Sequence, residues 1–243
     1  MSERSDLDGL GFFYASADMA REPAESARRC AQAGASWAMI LIESVDGRRQ
    51  SPERVLAHAA ALRARSIRAL AYTFPSPRGC ETLAGLDQAT DRAIEIARGC
   101  GIEHLCFDFE PFERADWTGT QIRRAVARAR AAGLRSSVTI FTRARWRKIT
   151  WPAGVPVILQ VYERARLRGL LAAALRQTFP GADPDTIPAI GTYAGDADRL
   201  GSDLDNIREW DPRGLAIWSL ATTDVDERRA LAAYVRGDAQ GSV

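Results

Sequence analysis

The sequence predicts an α/β fold, a single-domain (β/α)8 barrel of the TIM type. Three observations carry that expectation. Apolar runs with strand periodicity alternate with helical runs eight times along 243 residues, about the length such a barrel needs. Each connection is short. No Gly-x-Gly-x-x-Gly or Gly-x-x-x-x-Gly-Lys turn appears, whereas a doubly wound sheet, the alternative, usually carries a glycine-rich phosphate turn. Hydrophobic residues are 46% of the chain, enough to bury a full core. No linker or repeat interrupts it, so residues 1–10 read as a polar lead, 11–237 as the barrel and 238–243 as a tail.

The first strand is the aromatic run Gly11–Ser16, followed by a helix over Pro23–Ala33 with Gly34 as its C-cap. Trp37–Glu43 is almost continuously apolar, as a parallel strand covered on both faces should be. Ser51 and Pro52 open a helix reaching about Arg65, with serine as N-cap and proline in the first turn. Ile67–Phe74 is the third strand, ended by Pro75, and Leu86–Arg98 the third helix. In the fourth strand Leu105, Phe107 and Phe109 alternate with Cys106, Asp108 and Glu110, and Pro111 stops it. A helix over Gln121–Ala132 leads to the strand Leu134–Thr142, and an arginine-rich turn carries Trp146. Val157–Tyr162, a helix over Arg166–Phe179, Ile187–Tyr193, a helix over Asp198–Trp210, Leu215–Leu220 and a helix over Asp226–Val235 complete the eight units.

Charge and cysteine content narrow the function classes. Lys+Arg of 33 against Asp+Glu of 31 leaves a net charge of +2, which argues against nucleic-acid binding driven by bulk charge. The basic clusters at Arg123–Arg130, Arg143–Lys148 and Arg164–Arg168 read as solvated helix faces. Cys30, Cys80, Cys100 and Cys106 form no C-x-x-C pair and have no histidine at zinc spacing, so they read as reduced. His58 and His104 are placed neither as ligands nor as triad members. The polar N-terminus shows no secretory signal and no run is long enough to span a membrane. The expectation is a monomeric cytoplasmic protein without cofactor, meeting an extracellular substrate only through lysis or non-classical export.

The C-terminal ends of barrel strands carry the chemistry of such folds. There the sequence places Tyr14 and Ser16, Glu43, Tyr72 and Phe74, Asp108 and Glu110, Thr142, Gln160 and Tyr162, Tyr193, and Trp218. Two carboxylates at i and i+2 on one strand face are costly to leave in an interior unless paired or used. Aromatic faces beside them suit the apolar faces of pyranose rings, and the polar groups suit hydroxyls. Asp108, Glu110 and Glu43 offer oxygens for a hard cation, but no histidine stands at a strand end to build a zinc or iron site, and no metal is expected. Serine chemistry lacks a G-x-S-x-G motif.

Three strand ends resemble the chitinase family, glycoside hydrolase family 18. Its fourth-strand Asp-x-x-Asp-x-Asp-x-Glu frame falls on Glu103, Cys106, Asp108 and Glu110, so the last two acids match and the first two differ. Its sixth-strand Met-x-Tyr-Asp falls on Gln160-Val161-Tyr162-Glu163, and its Gly-x-Met-x-Trp motif on the segment ending at Trp218, with Asp224 downstream. The third-strand Ser-x-Gly-Gly is replaced by Ala-Tyr-Thr-Phe. A looser resemblance to the family-25 lysozymes (muramidases) rests on Asp108-x-Glu110, Thr142 and Trp146, without their first-strand aspartate. The resemblance implies Glu110 as general acid, Asp108 orienting the substrate N-acetyl group, and Tyr162 hydrogen-bonding to it. Gln160, Trp218, Tyr14, Glu43, Tyr72 and Tyr193 would bind sugar, and the substrate would be a chitin-like or peptidoglycan polysaccharide or oligosaccharide. The alternative is a non-catalytic carbohydrate-binding barrel, to which Cys106 and the absent Ser-x-Gly-Gly point.

Overall fold

Trp37–Glu43 (β2) is buried along its whole length, the mark of a strand covered on both faces. It belongs to a closed parallel barrel in which each strand pairs with the next and β8 returns to β1. The structure is a computed structural model that describes residues 5–75, 82–109, 118–141, 154–161, 186–192, 197–210 and 212–237. The strands are β1 (Gly9–Phe13), β2, β3 (Arg68–Thr73), β4 (His104–Phe109), β5 (Arg135–Phe141), β6 (Val157–Gln160), β7 (Ile187–Gly191) and β8 (Gly214–Trp218). The described helices are α1 (Ser16–Ala20), α2 (Pro23–Gln32), α3 (Pro52–Arg63), α4 (Leu83–Gly99), α5 (Gly119–Ala131), α6 (Ala197–Trp210) and α7 (Val225–Arg236). The expected helix over 166–179 and the turn at Trp146 lie outside the described residues.

Local chemistry explains the boundaries. Ser51 caps α3 by accepting from the Arg54 amide, as its Ser-Pro start predicts. Thr118 and Gln121 close a reciprocal capping box on α5, and Asp224 with Glu227 does the same on α7. Two expectations are corrected. β1 starts at Gly9 and stops at Phe13, so Ser16 begins a helix instead of ending a strand. That five-residue helix was missed because it is too short to show a 3.6-residue period.

Register fixes which side chains fill the barrel, because residues paired across parallel strands share a face. Gly11 pairs with Trp37, and a Cβ on Gly11 would lie 2.0 Å from the Trp37 ring, so the glycine makes room for the indole at that level. Phe13 and Met39 lie above that pair. Leu70 and Tyr72 follow from β3, His104, Cys106 and Asp108 from β4, and Ser137 and Thr139 from β5. Ile158 and Gln160, Ala189 and Gly191, and Ala216 and Trp218 complete the ring. Residues 5–8, read from sequence as lead, pack against the N-terminal end of the barrel strands. Leu7 is fully buried and its carbonyl would sit 2.0 Å from a Cβ on Gly214.

Candidate functional site

β4 carries the strand's inward acid. Asp108 is 1% exposed and registers with Thr139 of β5. From β6, the Gln160 amide donates to Asp108 Oδ1 at 3.1 Å and to Thr139 Oγ1 at 3.2 Å. One side-chain amide thus ties three neighbouring strands together at a buried carboxylate. A hydrogen bond to a charged acceptor in such surroundings is stronger than a neutral one. Cys106 lies one inward position below Asp108. Burial first, and then the Asp108 charge, push its thiol far above the ordinary range, although Ser137 and the Thr139 backbone act the other way. It stays a neutral thiol.

The aromatic side is assembled by β8, β1 and β3. Trp218 packs against Phe13 at 5.4 Å, Tyr72 at 6.1 Å and Phe74 at 6.3 Å between ring centroids. Tyr72 meets Phe13 edge-on at 5.1 Å and donates its hydroxyl to the Tyr14 carbonyl at 2.7 Å. Tyr72 is fully buried beneath this set, while Trp218 is only partly covered. Trp218 is therefore the ring of this set that keeps solvent contact, with Tyr72 packed edge-on against it.

Two expected sugar contacts turn away from the mouth. Tyr14 follows inward-facing Phe13, so alternation aims it at the helices. Its hydroxyl meets Cys30 Sγ at 3.5 Å and its ring lies edge-on to His58. Burial, with the neighbouring Cys30, raises its phenol beyond the ordinary range, and burial pushes the Cys30 thiol up to about 12. Glu43 should face inward two residues after Leu41, but the register shifts between them and aligns Glu43 with Thr73. A one-residue slip reverses the face. Its carboxylate instead sits 3.4 Å from Arg49 and 4.0 Å from Arg92, in the groove between α3 and α4. Glu110, Tyr162 and Tyr193, like Thr142, lie outside the described residues.

At the opposite end, sequence reasoning missed a polar chain. Asp6 Oδ2 meets His104 Nδ1 at 3.0 Å, and His104 Nε2 meets Ser137 Oγ at 2.8 Å. Burial alone would raise the Asp6 carboxyl. The His104 hydrogen bond and the nearby positive charges outweigh it and hold it below the usual range. The connectivity is that of a serine-hydrolase triad, but Ser137 is fully buried, whereas a nucleophilic serine must meet its substrate. The sequence signal was Ser137 and Thr139 on the inward row of a strand whose outward row carries Val138 and Ile140. Among the described residues no group of three or more His, Cys, Asp or Glu is placed to hold a metal ion.

No family model matches the chain, and no curated protein does. Its structural neighbours include a family-18 (GH18) chitinase from Pseudoalteromonas aurantia at 9% identity and a TM-score of 0.63, covering 96% of this chain and 99% of that one. The spore cortex-lytic enzyme SleL of Bacillus cereus matches at 9% identity and 0.65, covering 93% of this chain and 74% of that one. A sugar phosphate isomerase/epimerase from Parabacteroides distasonis matches at 12% and 0.59, covering 99% of both. The fold is that of the TIM barrels. Its neighbours include chitinases and other glycosidases as well as sugar isomerases, and at these identities the likeness speaks for architecture.

Proposed function

We propose that this protein is a glycoside hydrolase acting on β-linked N-acetylhexosamine polymers, chitin-like or peptidoglycan. The observation that carries the reading is Asp108. It is a buried carboxylate on the inward face of β4, gripped by Gln160 and set across the interior from the partly exposed Trp218.

In this reading Glu110, two positions beyond Asp108, gives its proton to the glycosidic oxygen as the bond to the anomeric carbon breaks. Two acids on one strand point the same way and do not straddle that bond as an acid–nucleophile pair does. The carbonyl oxygen of the substrate's own N-acetyl group attacks the anomeric carbon instead. Asp108 accepts the N–H of that group and stabilises the positive charge that develops on it, while Tyr162 donates to its oxygen. Water then opens the cyclic intermediate and returns the proton to Glu110. A carboxylate neighbour raises the pKa of Glu110 and keeps it protonated for the first step.

The test pairs activity with melting temperature. Glu110→Gln should lose about 10²–10⁴-fold in cleavage of chito-oligosaccharides or purified cell wall, the usual worth of general acid catalysis, while melting like the parent. Asp108→Asn should slow turnover and move the acid limb of the pH–rate profile. A stable Glu110→Gln variant cleaving at the parent rate would end the assignment. One observation favours the non-catalytic alternative: the neutral Cys106 thiol below Asp108 is no proton-sharing acid. Sugar binding without cleavage by the parent protein, with or without a chelator, would establish that alternative.

A further inference from the structure

We propose that Asp18 and Arg29 clamp the turn after β8 from its two electrostatic poles, and that they are positioning residues for Trp218. The turn is the 3₁₀ segment Leu220–Thr222 and its flanking residues. Its Ala221 amide donates to Asp18 Oδ2 at 3.0 Å, and the same oxygen accepts from the Ala15 amide at 3.0 Å. One carboxylate oxygen thereby joins the loops that follow β1 and β8. On the other pole, Arg29 Nη2 donates to the carbonyls of Leu220 at 3.1 Å and Thr223 at 2.6 Å. The anion takes the N–H and the cation takes the carbonyls.

Both residues are buried, Asp18 fully and Arg29 to 7% exposure. Buried charges are costly unless their hydrogen bonds are good, and here two of them converge on one short turn. Held from both poles, the turn constrains the backbone that leads into it. The residue immediately before it is Ser219, and before that Trp218. The Trp218 carbonyl is held by the Thr192 amide at 3.0 Å, and the Ser219 carbonyl accepts from Thr223 Oγ1 at 2.9 Å. With the carbonyls of Trp218 and Ser219 both held, the indole keeps its place over Phe13, Tyr72 and Phe74. Preorganisation of an aromatic platform lowers the ordering cost of binding.

The bearing on substrate rests on the reading of Trp218 as a sugar platform, so the experiment has two arms. In the first, the protein is labelled with 5-fluorotryptophan and the Trp218 signal is assigned by Trp218→Phe. The other tryptophans of the six in the chain serve as controls. Asp18→Ala and Arg29→Met should shift or broaden the Trp218 resonance alone. Asp18→Asn, which keeps a carbonyl acceptor, should restore it. Arg29→Lys, which keeps the charge but not the fork that reaches two carbonyls, covers the case in which the methionine variant fails to fold. In the second arm, chitotetraose affinity should fall about tenfold in Arg29→Met and Trp218→Ala, with the parent value in Asp18→Asn. A Trp218 signal that stays in place in a folded Arg29 variant overturns the clamp whatever the sugar data. Unchanged affinity in Trp218→Ala overturns the platform reading, and the fluorine arm then decides the clamp by itself.

Discussion

The barrel interior is aromatic at β8, β1 and β3, with Trp218, Phe13 and Tyr72 joined by Phe74 just after β3. From β4 to β6 the same shell holds Cys106, Asp108, Ser137, Thr139 and Gln160. The aromatic half needs few partners, gains from burial and edge-to-face contact, and can be read as core. The polar half gives up apolar burial, and its groups hydrogen-bond to one another. Such a loss in an otherwise consistent fold is where function is expected, because a purely structural interior would have filled the space with Val, Ile or Leu.

Truncation on the aromatic side should have the largest effect. Tyr72 is fully buried, contacts three rings and donates to the Tyr14 carbonyl. Tyr72→Ala should cost about 3–5 kcal/mol in denaturant unfolding, the range for aromatic-to-alanine changes in cores. Tyr72→Phe removes only the hydroxyl and should cost about 1 kcal/mol. An alanine variant within 1 kcal/mol of the parent would show that this half is no packed core.

Next comes a buried acid outside the barrel wall, which sharpens the contrast with Asp108. Burial raises the Asp18 carboxyl from 3.8 to about 6, although backbone amides and Arg21 and Arg29 favour its charge. The folded state therefore binds this proton more tightly than the unfolded chain does. Stability from this group is fully present below about pH 4 and is lost as pH rises through about 6. At 1.36 kcal/mol per pH unit, the difference is about 3 kcal/mol. Asp18→Asn does not titrate, so its stability relative to the parent should rise between pH 4 and 6 and level off above. A constant offset across that window would contradict the shift.

In the polar half, Gln160→Leu withdraws the amide from Asp108 Oδ1 and Thr139 Oγ1. The expected cost is about 1–3 kcal/mol, two hydrogen bonds at about 0.5–1.5 kcal/mol each. Leucine here should be worse than leucine at an apolar barrel position, although it is the more hydrophobic residue. A double-mutant cycle with Asp108→Asn should return a coupling of about 0.5–3 kcal/mol. Independent effects would mean that the two side chains do not act together.

The architecture was legible because alternation and length speak for it over many residues. β2 was read to its exact ends at Trp37 and Glu43, since a strand buried on both faces is an unbroken apolar run. The inward faces of Asp108, Gln160 and Trp218 followed from strand period alone. Glu43 was misread because a register slip leaves no trace in composition. Tyr14 was misread because β1 ends at Phe13, three residues before the expected end at Ser16, and its ring follows an inward phenylalanine. The Asp6–His104–Ser137 chain and the Asp18–Ala221 contact were invisible for another reason. They join residues separated by 98, 33 and 203 positions, and no single-sequence pattern encodes such pairings.

The smallest effect belongs to Cys106, where the two halves meet most directly, since its Cα partner is Tyr72 on one side and Ser137 on the other. The side chain is fully buried and unpaired, and its thiol is held neutral by burial and by the charge of Asp108. A reactive cysteine needs thiolate character and access, and this one has neither. Cys106 should resist an aromatic disulfide reagent in the native protein and react at once in denaturant. Cys106→Ala removes one sulfur from a packed interior and should cost about 1 kcal/mol, near the low end of large-to-small changes. Cys106→Asp is the informative companion. It restores an acid at the level the chitinase pattern expects and places a second carboxyl below Asp108, where two like charges raise each other's pKa until they share a proton. If catalysis runs through Asp108, the aspartate variant should shift the acid limb of the pH–rate profile while the alanine variant leaves it in place. Identical profiles in both would mean that the group below Asp108 plays no part in its charge state.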